Sequence, residues 1–171
     1  DPLAKTKWNG KYYAFDENCK MFKGTQKQNA TSATGTAAAA YMILNDDLTD
    51  GSMHKKTWIY AIPAENVHKQ DYDESNYRWF YTNENGVPYR ATVRKINSKY
   101  YVFDEYGRMK VGLVKLSTSS VVSGSSVFEF QFKPADQTVD WYYAKVKELG
   151  GDAKYWHYFG NDEEKDGSRK N

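Results

Sequence analysis

The sequence predicts a mostly β fold: a β-hairpin repeat solenoid with two longer insertions and one short helix near 136–149. Three observations predict it. One phrase occurs twice, as KYYAFDENCKM at Lys11–Met21 and KYYVFDEYGRM at Lys99–Met109. Aromatic residues make up 16% of the 171, with 15 Tyr, 5 Trp and 8 Phe, yet mean hydropathy is −0.85. Finally, each aromatic run ends in a polar, turn-forming cluster. Tyr and Trp pack a ring while leaving a polar tip in water, which suits a thin structure with little deep interior.

The repeat is longer than the phrase. Trp8–Gly24 aligns with Ile96–Gly112, with Asn9, Lys11, Tyr12, Tyr13, Phe15, Asp16, Glu17, Met21 and Gly24 all identical in the second copy. A third copy, Trp79–Ala91, places Trp79 on Tyr12, Phe80 on Tyr13, Glu84 on Glu17 and Gly86 on Cys19. A weaker fourth, Tyr155–Gly167, has Trp156 at the first aromatic position. Internal periodicity of this kind signals stacked supersecondary units.

Each copy reads as a hairpin. KYYAF and KYYVF have high strand propensity. DENC, NENG and DEYG are turns in which the leading Asp or Asn bonds to backbone two residues on. Gly at the end supplies a positive φ, and Cys19 stands in that glycine's place. The predicted organisation is a single elongated repeat module over 1–171. Its hairpins lie at about 8–24, 77–91, 94–112 and 154–167, with insertions at 25–76 and 113–153.

Within the first insertion, AYMIL and TWIYAI read as strands paired around NDDLTDGS, and AENVHKQDYDESN as a polar excursion. In the second, VFEFQF alternates as a half-buried strand does, and STSSVVSGSS reads as a loop or the tip of a wide hairpin. PADQTVDWYYAKVKELGG carries Val139, Tyr142 or Tyr143, Val146 and Leu149 at helical spacing, with Gly150-Gly151 as the stop. A helix is the preferred reading there; the alternative is a strand pair around DWYYA.

Composition excludes several classes. A net charge of +2 carries no nucleic-acid-binding stripe. No apolar run approaches the ~18 residues that span a bilayer, so no membrane insertion is expected. Cys19 is the only cysteine and cannot form an internal disulfide. Catalytic residues, metal ligands and a cofactor are all expected to be none. His54 and His68 lack a spaced partner and read as solvated loop residues. Asp46–Asp50 lacks the Gly and terminal Glu of a Ca²⁺ loop. The acidic residues concentrate in turns, so no carboxylate pair is positioned for acid–base work. The chain opens abruptly on Asp1-Pro2 and is expected to be part of a longer one.

GKYYAFDENxKMxxG resembles the cell-wall-binding repeat family, also called choline-binding repeats, whose relatives include glucan-binding repeats. The likeness rests on Gly10 to Asn18 with Met21 and Gly24, on Lys99 to Glu105 with Gly107, Met109 and Gly112, and on Trp79 to Gly86, about a third of the chain. It implies a non-catalytic module, secreted or on a Gram-positive cell surface, that attaches a larger protein to a cell-wall polymer (choline-bearing teichoic acid) or to a glucan-type polysaccharide. In such modules ring cages hold a quaternary ammonium by cation–π attraction, about 0.5–2 kcal/mol per ring. Sugar-binding members stack a pyranose face on the same rings. The ligand-binding residues it implies here are Trp8, Tyr12, Trp79, Phe80, Tyr81, Tyr100, Tyr101 and Trp156. Thr25, Thr92 and Leu113 stand where the family carries a cage Trp after the closing glycine. That departure keeps an alternative in view: a structural or adhesin segment whose insertions bind a protein partner, with the repeats as scaffold.

Overall fold

The computed structural model describes residues 5–28, 40–43, 50–131 and 138–160. They form small antiparallel sheets with two short helices. The chain divides into two compact units, Asp1–Tyr89 and Arg90–Asn171.

In the first unit, β1 (Lys5–Trp8) pairs with β2 (Lys11–Ala14) across Asn9-Gly10. Both turn residues have positive φ, 51° and 81°. This is the tight reversal whose twist matches that of its flanking strands. β3 (Thr25–Gln28) pairs with β4 (Ala40–Ile43). β5 (Trp58–Ala61) pairs with β6 (Arg78–Tyr81), and between them lies α1 (Lys69–Asp73).

In the second unit, β7 (Thr92–Ile96), β8 (Lys99–Phe103) and β9 (Met109–Lys110) form one sheet. β10 (Leu113–Leu116) is flanked by β11 (Val127–Gln131) and β12 (Trp156–Tyr158). α2 (Val139–Leu149) leads through a 3₁₀ turn, Gly150–Tyr155, into β12. The preferred helix is thus present and stops at Gly150, whose φ is 56°. Its proposed start at Pro134–Asp136 lies outside the described residues, as do 161–167 of the fourth copy.

The predicted turns form with one geometry in the first three copies. Asp16 Oδ1 accepts the amides of Asn18 and Lys20 at 2.9 and 2.8 Å. Asn83 Oδ1 does the same for Asn85 and Val87 at 2.8 and 3.1 Å. Asp104 Oδ1 takes Tyr106 and Arg108, both at 2.9 Å. The fourth turn position is left-handed each time, with φ 60° at Cys19, 73° at Gly86 and 87° at Gly107. The bridges Phe15↔Met21 and Thr82↔Pro88 close the first two turns, and Phe103↔Met109 closes the third.

Two strand pairings differ from expectation. AYMIL and TWIYAI are not partners. Ala40–Ile43 pairs with Thr25–Gln28, while Trp58–Ala61 pairs with the third copy. The reason is cross-strand ring contact: register puts Trp58 opposite Tyr81 and Tyr60 opposite Trp79, pairs worth about 0.5–1.5 kcal/mol each beyond their burial. Likewise, the longer ladder of each KYY strand runs to the strand before it, through Asn9-Gly10 or Asn97-Ser98, and not to the short strand after it. STSSVVSGSS is the tip of a wide hairpin, since β10 pairs with β11.

The polar excursion contains α1. Its N-cap is His68, whose Nδ1 accepts the Asp71 amide at 3.2 Å, so His68 is a capping residue and not a solvated one. Asp71 is buried and meets Arg78 Nη2 at 2.8 Å. Asp104 is buried too and meets Arg108 Nε at 2.7 Å. Each of these two carboxylates is thus paired and out of water.

The cores are more aliphatic than the ring count suggests. Val93, Val102, Val114, Leu116 and Phe159 form one cluster of the second unit. Leu113, Tyr142 and Trp156 form another, against which α2 packs Trp141, Val146 and Leu149. In the first unit, Ile59, Ala61 and Phe80 form one cluster, and Ala14 with Met53 another. Much of the aromatic excess therefore lies outside these clusters, on sheet faces.

Candidate functional site

Two ring surfaces stand out, both in the first unit. The first begins with alternation along β5 and β6. Ile59, Ala61 and Phe80 turn into the core, so Trp58, Tyr60, Trp79 and Tyr81 share the opposite face. Tyr77 and Tyr89 extend this set. The contacts are continuous. Tyr77 lies 5.2 Å from Tyr60 at 33°, and Tyr60 stacks on Trp79 at 4.7 Å and 28°. Trp58 meets Trp79 edge-on at 6.1 Å and Tyr81 edge-on at 5.2 Å. Tyr81 lies parallel to Tyr89 at 6.1 Å. The Tyr81 hydroxyl donates to the Lys56 carbonyl at 3.0 Å, fixing that end. At the other end Tyr77 and Tyr60 are 54% and 41% exposed.

The second surface is a cleft on the first copy, lined by Trp8, Tyr13, Phe15, Met21 and Asp50 among others. Trp8 is 70% exposed and tilts against Tyr13 at 6.1 Å and 57°. The two rings are diagonal neighbours across the β1–β2 pair, on the face set by Thr6 opposite Tyr13. Phe15 is exposed because it is the last residue before the Asp16 turn. Asp50 brings a carboxylate to this apolar cleft. Lys11 donates to it and the Ser52 amide bonds its Oδ1 at 3.0 Å. These hydrogen bonds, the one from Lys11 foremost, hold the Asp50 carboxyl well below the usual carboxylate range, and the Asp50 partner raises the Lys11 ammonium above its own.

The residues expected at a site have different fates. Trp8 lines the cleft, and Trp79 and Tyr81 lie within the ring row. Tyr12 is half-buried, with Lys55 Nζ 3.9 Å from its ring centre and Lys7 Nζ at 5.8 Å. Tyr100 is half-buried against the valine cluster, with Lys95 Nζ at 5.7 Å. Tyr101 is half-buried opposite Arg94. Phe80 and Trp156 correct the expectation. At 1% and 8% exposure they are core residues with no open face for a ligand. Phe80 points inward because Trp79 and Tyr81 on either side point out. Trp156 is covered by Tyr142 and Leu113.

Sequence reading missed Trp58, Tyr60, Tyr77 and Tyr89 in the row, and Tyr13, Phe15, Met21 and Asp50 in the cleft. One signal for the row was present. In TWIYAI, large rings alternate with Ile and Ala, which places Trp58 and Tyr60 on one face. Nothing local announced Asp50, which reaches the cleft from far along the chain. Among the described residues no group of three or more His, Cys, Asp and Glu side chains is placed to hold a metal ion, and no helix is long and apolar enough to cross a membrane.

No protein-family model matches the chain, and no curated protein matches it. Three of the solved structures similar to it come from Streptococcus pneumoniae. CbpJ is 14% identical, with 98% of this chain and 35% of that one covered at a TM-score of 0.46. The modular autolysin LytC is 17% identical, covering 99% of this chain and 28% of that one at a TM-score of 0.44. The choline-binding domain of CbpL is 20% identical, covering 97% and 76% at a TM-score of 0.41. The chain thus spans about a third of CbpJ and less than that of LytC.

Proposed function

We propose that this chain is a non-catalytic module that binds choline-bearing cell-wall polymer and attaches a larger secreted protein to a Gram-positive surface. The observation that carries the reading is the Trp8 cleft, where exposed rings, Met21 and a carboxylate converge. A quaternary ammonium has no N–H to satisfy, so it loses little when it leaves water for ring faces. Trp8, backed by the buried Tyr13 ring, supplies the cation–π attraction, Phe15 and Met21 the contact with its methyl groups, and Asp50, bonded to Lys11, a carboxylate in the lining. The repeat resemblance points to the same ligand. One such site is weak. A polymer carrying choline on every unit, bound by a module tethered beside others, gains from effective concentration.

Choline titration of the full chain, followed by tryptophan fluorescence, tests this together with a pull-down on choline-bearing teichoic acid. Saturable quenching and retention are expected, with Trp8→Ala weakening both at least tenfold while circular dichroism stays unchanged. Failure of the folded wild-type chain to respond to choline and to be retained would sink the reading.

A further inference from the structure

We propose that Lys11 sets the affinity of the Trp8 cleft for a quaternary ammonium by acting as its built-in competitor: its ammonium occupies the Asp50 carboxylate and yields it when the ligand enters. The proposal rests on the cleft holding choline, and it assigns a role to a residue that touches none of the ring surface.

The inference starts from one position in three copies. Lys11, Arg78 and Lys99 each immediately precede the first aromatic residue of their copy, Tyr12, Trp79 and Tyr100. Strand register gives each a different neighbour. Lys11 lies opposite Trp8, Arg78 opposite Ala61 and Lys99 opposite Ile96. Directly opposite residues share one face of the sheet. Of the three copies, then, the first alone puts this cation beside an exposed ring. The Lys11 ammonium donates to Asp50, which lines the same cleft.

Burial separates this pair from its counterpart in the third copy. Arg78 also meets a carboxylate, Asp71, whose side chain is 2% exposed. Opening that pair would strand a charge away from water, so it is fixed. The Lys11 and Asp50 side chains are 55% and 48% exposed. Water takes up the Lys11 ammonium as it leaves, and pairs of this kind open at little cost. Asp50 keeps its place meanwhile, because Lys11 bonds its Oδ2 whereas the Ser52 amide bonds its Oδ1 at 3.0 Å. An anchored carboxylate with an exchangeable partner therefore borders the Trp8 ring. With Lys11 on it, the pair is neutral and offers an entering cation little net attraction. With Lys11 turned out to solvent, Asp50 presents a full negative charge to the trimethylammonium group. Binding thus exchanges one cation for another, and removing Lys11 removes the competitor.

The test uses the full chain, choline, and the uncharged carbon isostere of choline, in which a tert-butyl group replaces trimethylammonium. Both are titrated by tryptophan fluorescence. Lys11→Met should bind choline at least threefold tighter than wild type and the isostere within twofold of it. Lys11→Arg, which keeps the charge, should bind choline no tighter than wild type. Lys99→Met, the same change in the second copy, should leave choline binding within twofold. The Asp50 carboxyl carbon signal of the wild-type chain should shift as choline, but not the isostere, saturates it. Equal choline affinity in Lys11→Met and wild type overturns the proposal. So does a gain that the isostere or Lys99→Met shares, or an Asp50 signal that choline leaves in place. If the wild-type chain binds choline with any of these results, the cell-wall reading stands and only the role of Lys11 falls. No choline binding by any folded variant removes both.

Discussion

The Lys55 ammonium stands 3.9 Å from the centre of the Tyr12 ring. The backbone fixes the approach, since the Met53 amide donates to the Tyr12 carbonyl at 2.7 Å and carries the following residues over β2. An internal cation thus occupies a ring that the repeat pattern offered to an external one. Lys55→Ala is expected to lower stability by about 0.5–1 kcal/mol, the value of an exposed cation–π pair. Lys55→Arg should restore most of it. Urea unfolding midpoints of the three chains decide this, and equal midpoints for Lys55→Ala and wild type would remove the contact from the stability account.

Cys19 adopts φ 60° and Ser98 φ 68°, where the sibling positions hold Gly107 and Gly10. A side chain in the left-handed region costs roughly 1–2 kcal/mol. Cys19→Gly and Ser98→Gly should each raise the melting temperature by several degrees, additively, because the two turns share no partner. Calorimetric scans of the single and double variants provide the check.

The reverse substitution is harsher at the matching turn of the third copy. A Cβ on Gly86 would lie 2.4 Å from Met53 Sδ and 3.2 Å from the His54 carbonyl, at a φ of 73°. Gly86→Ala should therefore lower stability by more than the ~1–2 kcal/mol of conformational strain alone. If it costs no more than Gly24→Ala, where the added atom meets nothing within 4 Å, the collision is relieved by Met53 at no cost.

Asp71 is 2% exposed and depends on Arg78 Nε and Nη2 at 3.1 and 2.8 Å. Arg78→Met leaves a buried carboxylate without its guanidinium, a loss of about 3–5 kcal/mol. Lys69→Met removes exposed ion pairs with Asp73 and Glu65 and should leave the unfolding midpoint at that of wild type. Denaturant unfolding of both variants separates the buried pair from the exposed one.

The Asp50 carboxyl is held below the ordinary carboxylate range, near 3.9, chiefly by the Lys11 hydrogen bond. A depressed folded pKa means that the stabilisation is present above the unfolded value and is lost only as pH falls through the folded one. The Lys11–Asp50 contribution should therefore be flat from neutrality to about pH 4 and disappear below it. In Lys11→Met the Asp50 titration followed by NMR should move up toward the ordinary value. An unchanged titration would assign the shift to the Ser52 bonds instead.

The turns were legible from sequence because their chemistry is contiguous. An Asx side chain bonds amides two and four residues ahead, and the left-handed position comes three residues on, so four or five letters contain the argument. The same locality made α2 readable through its apolar spacing and Gly150. The site was only half legible. Trp79 and Tyr81 were found because they lie inside the repeat, while Trp58 and Tyr60 lie in a segment the repeat does not cover. Phe80 was misassigned because an aromatic repeat position reads alike whether it faces the core or solvent.

What the sequence determined by itself was therefore the repeat, its turns and the left-handed place of Cys19. Only the tertiary structure decided that Trp58–Ala61 pairs with Arg78–Tyr81, that Trp156 is buried on Leu113, and that Asp50 reaches the Trp8 cleft. Local backbone conformation is set by neighbours along the chain. Strand partners and ring exposure are set by competition among distant segments for the same apolar faces, and a two-residue period gives each strand two faces without saying which partner covers either.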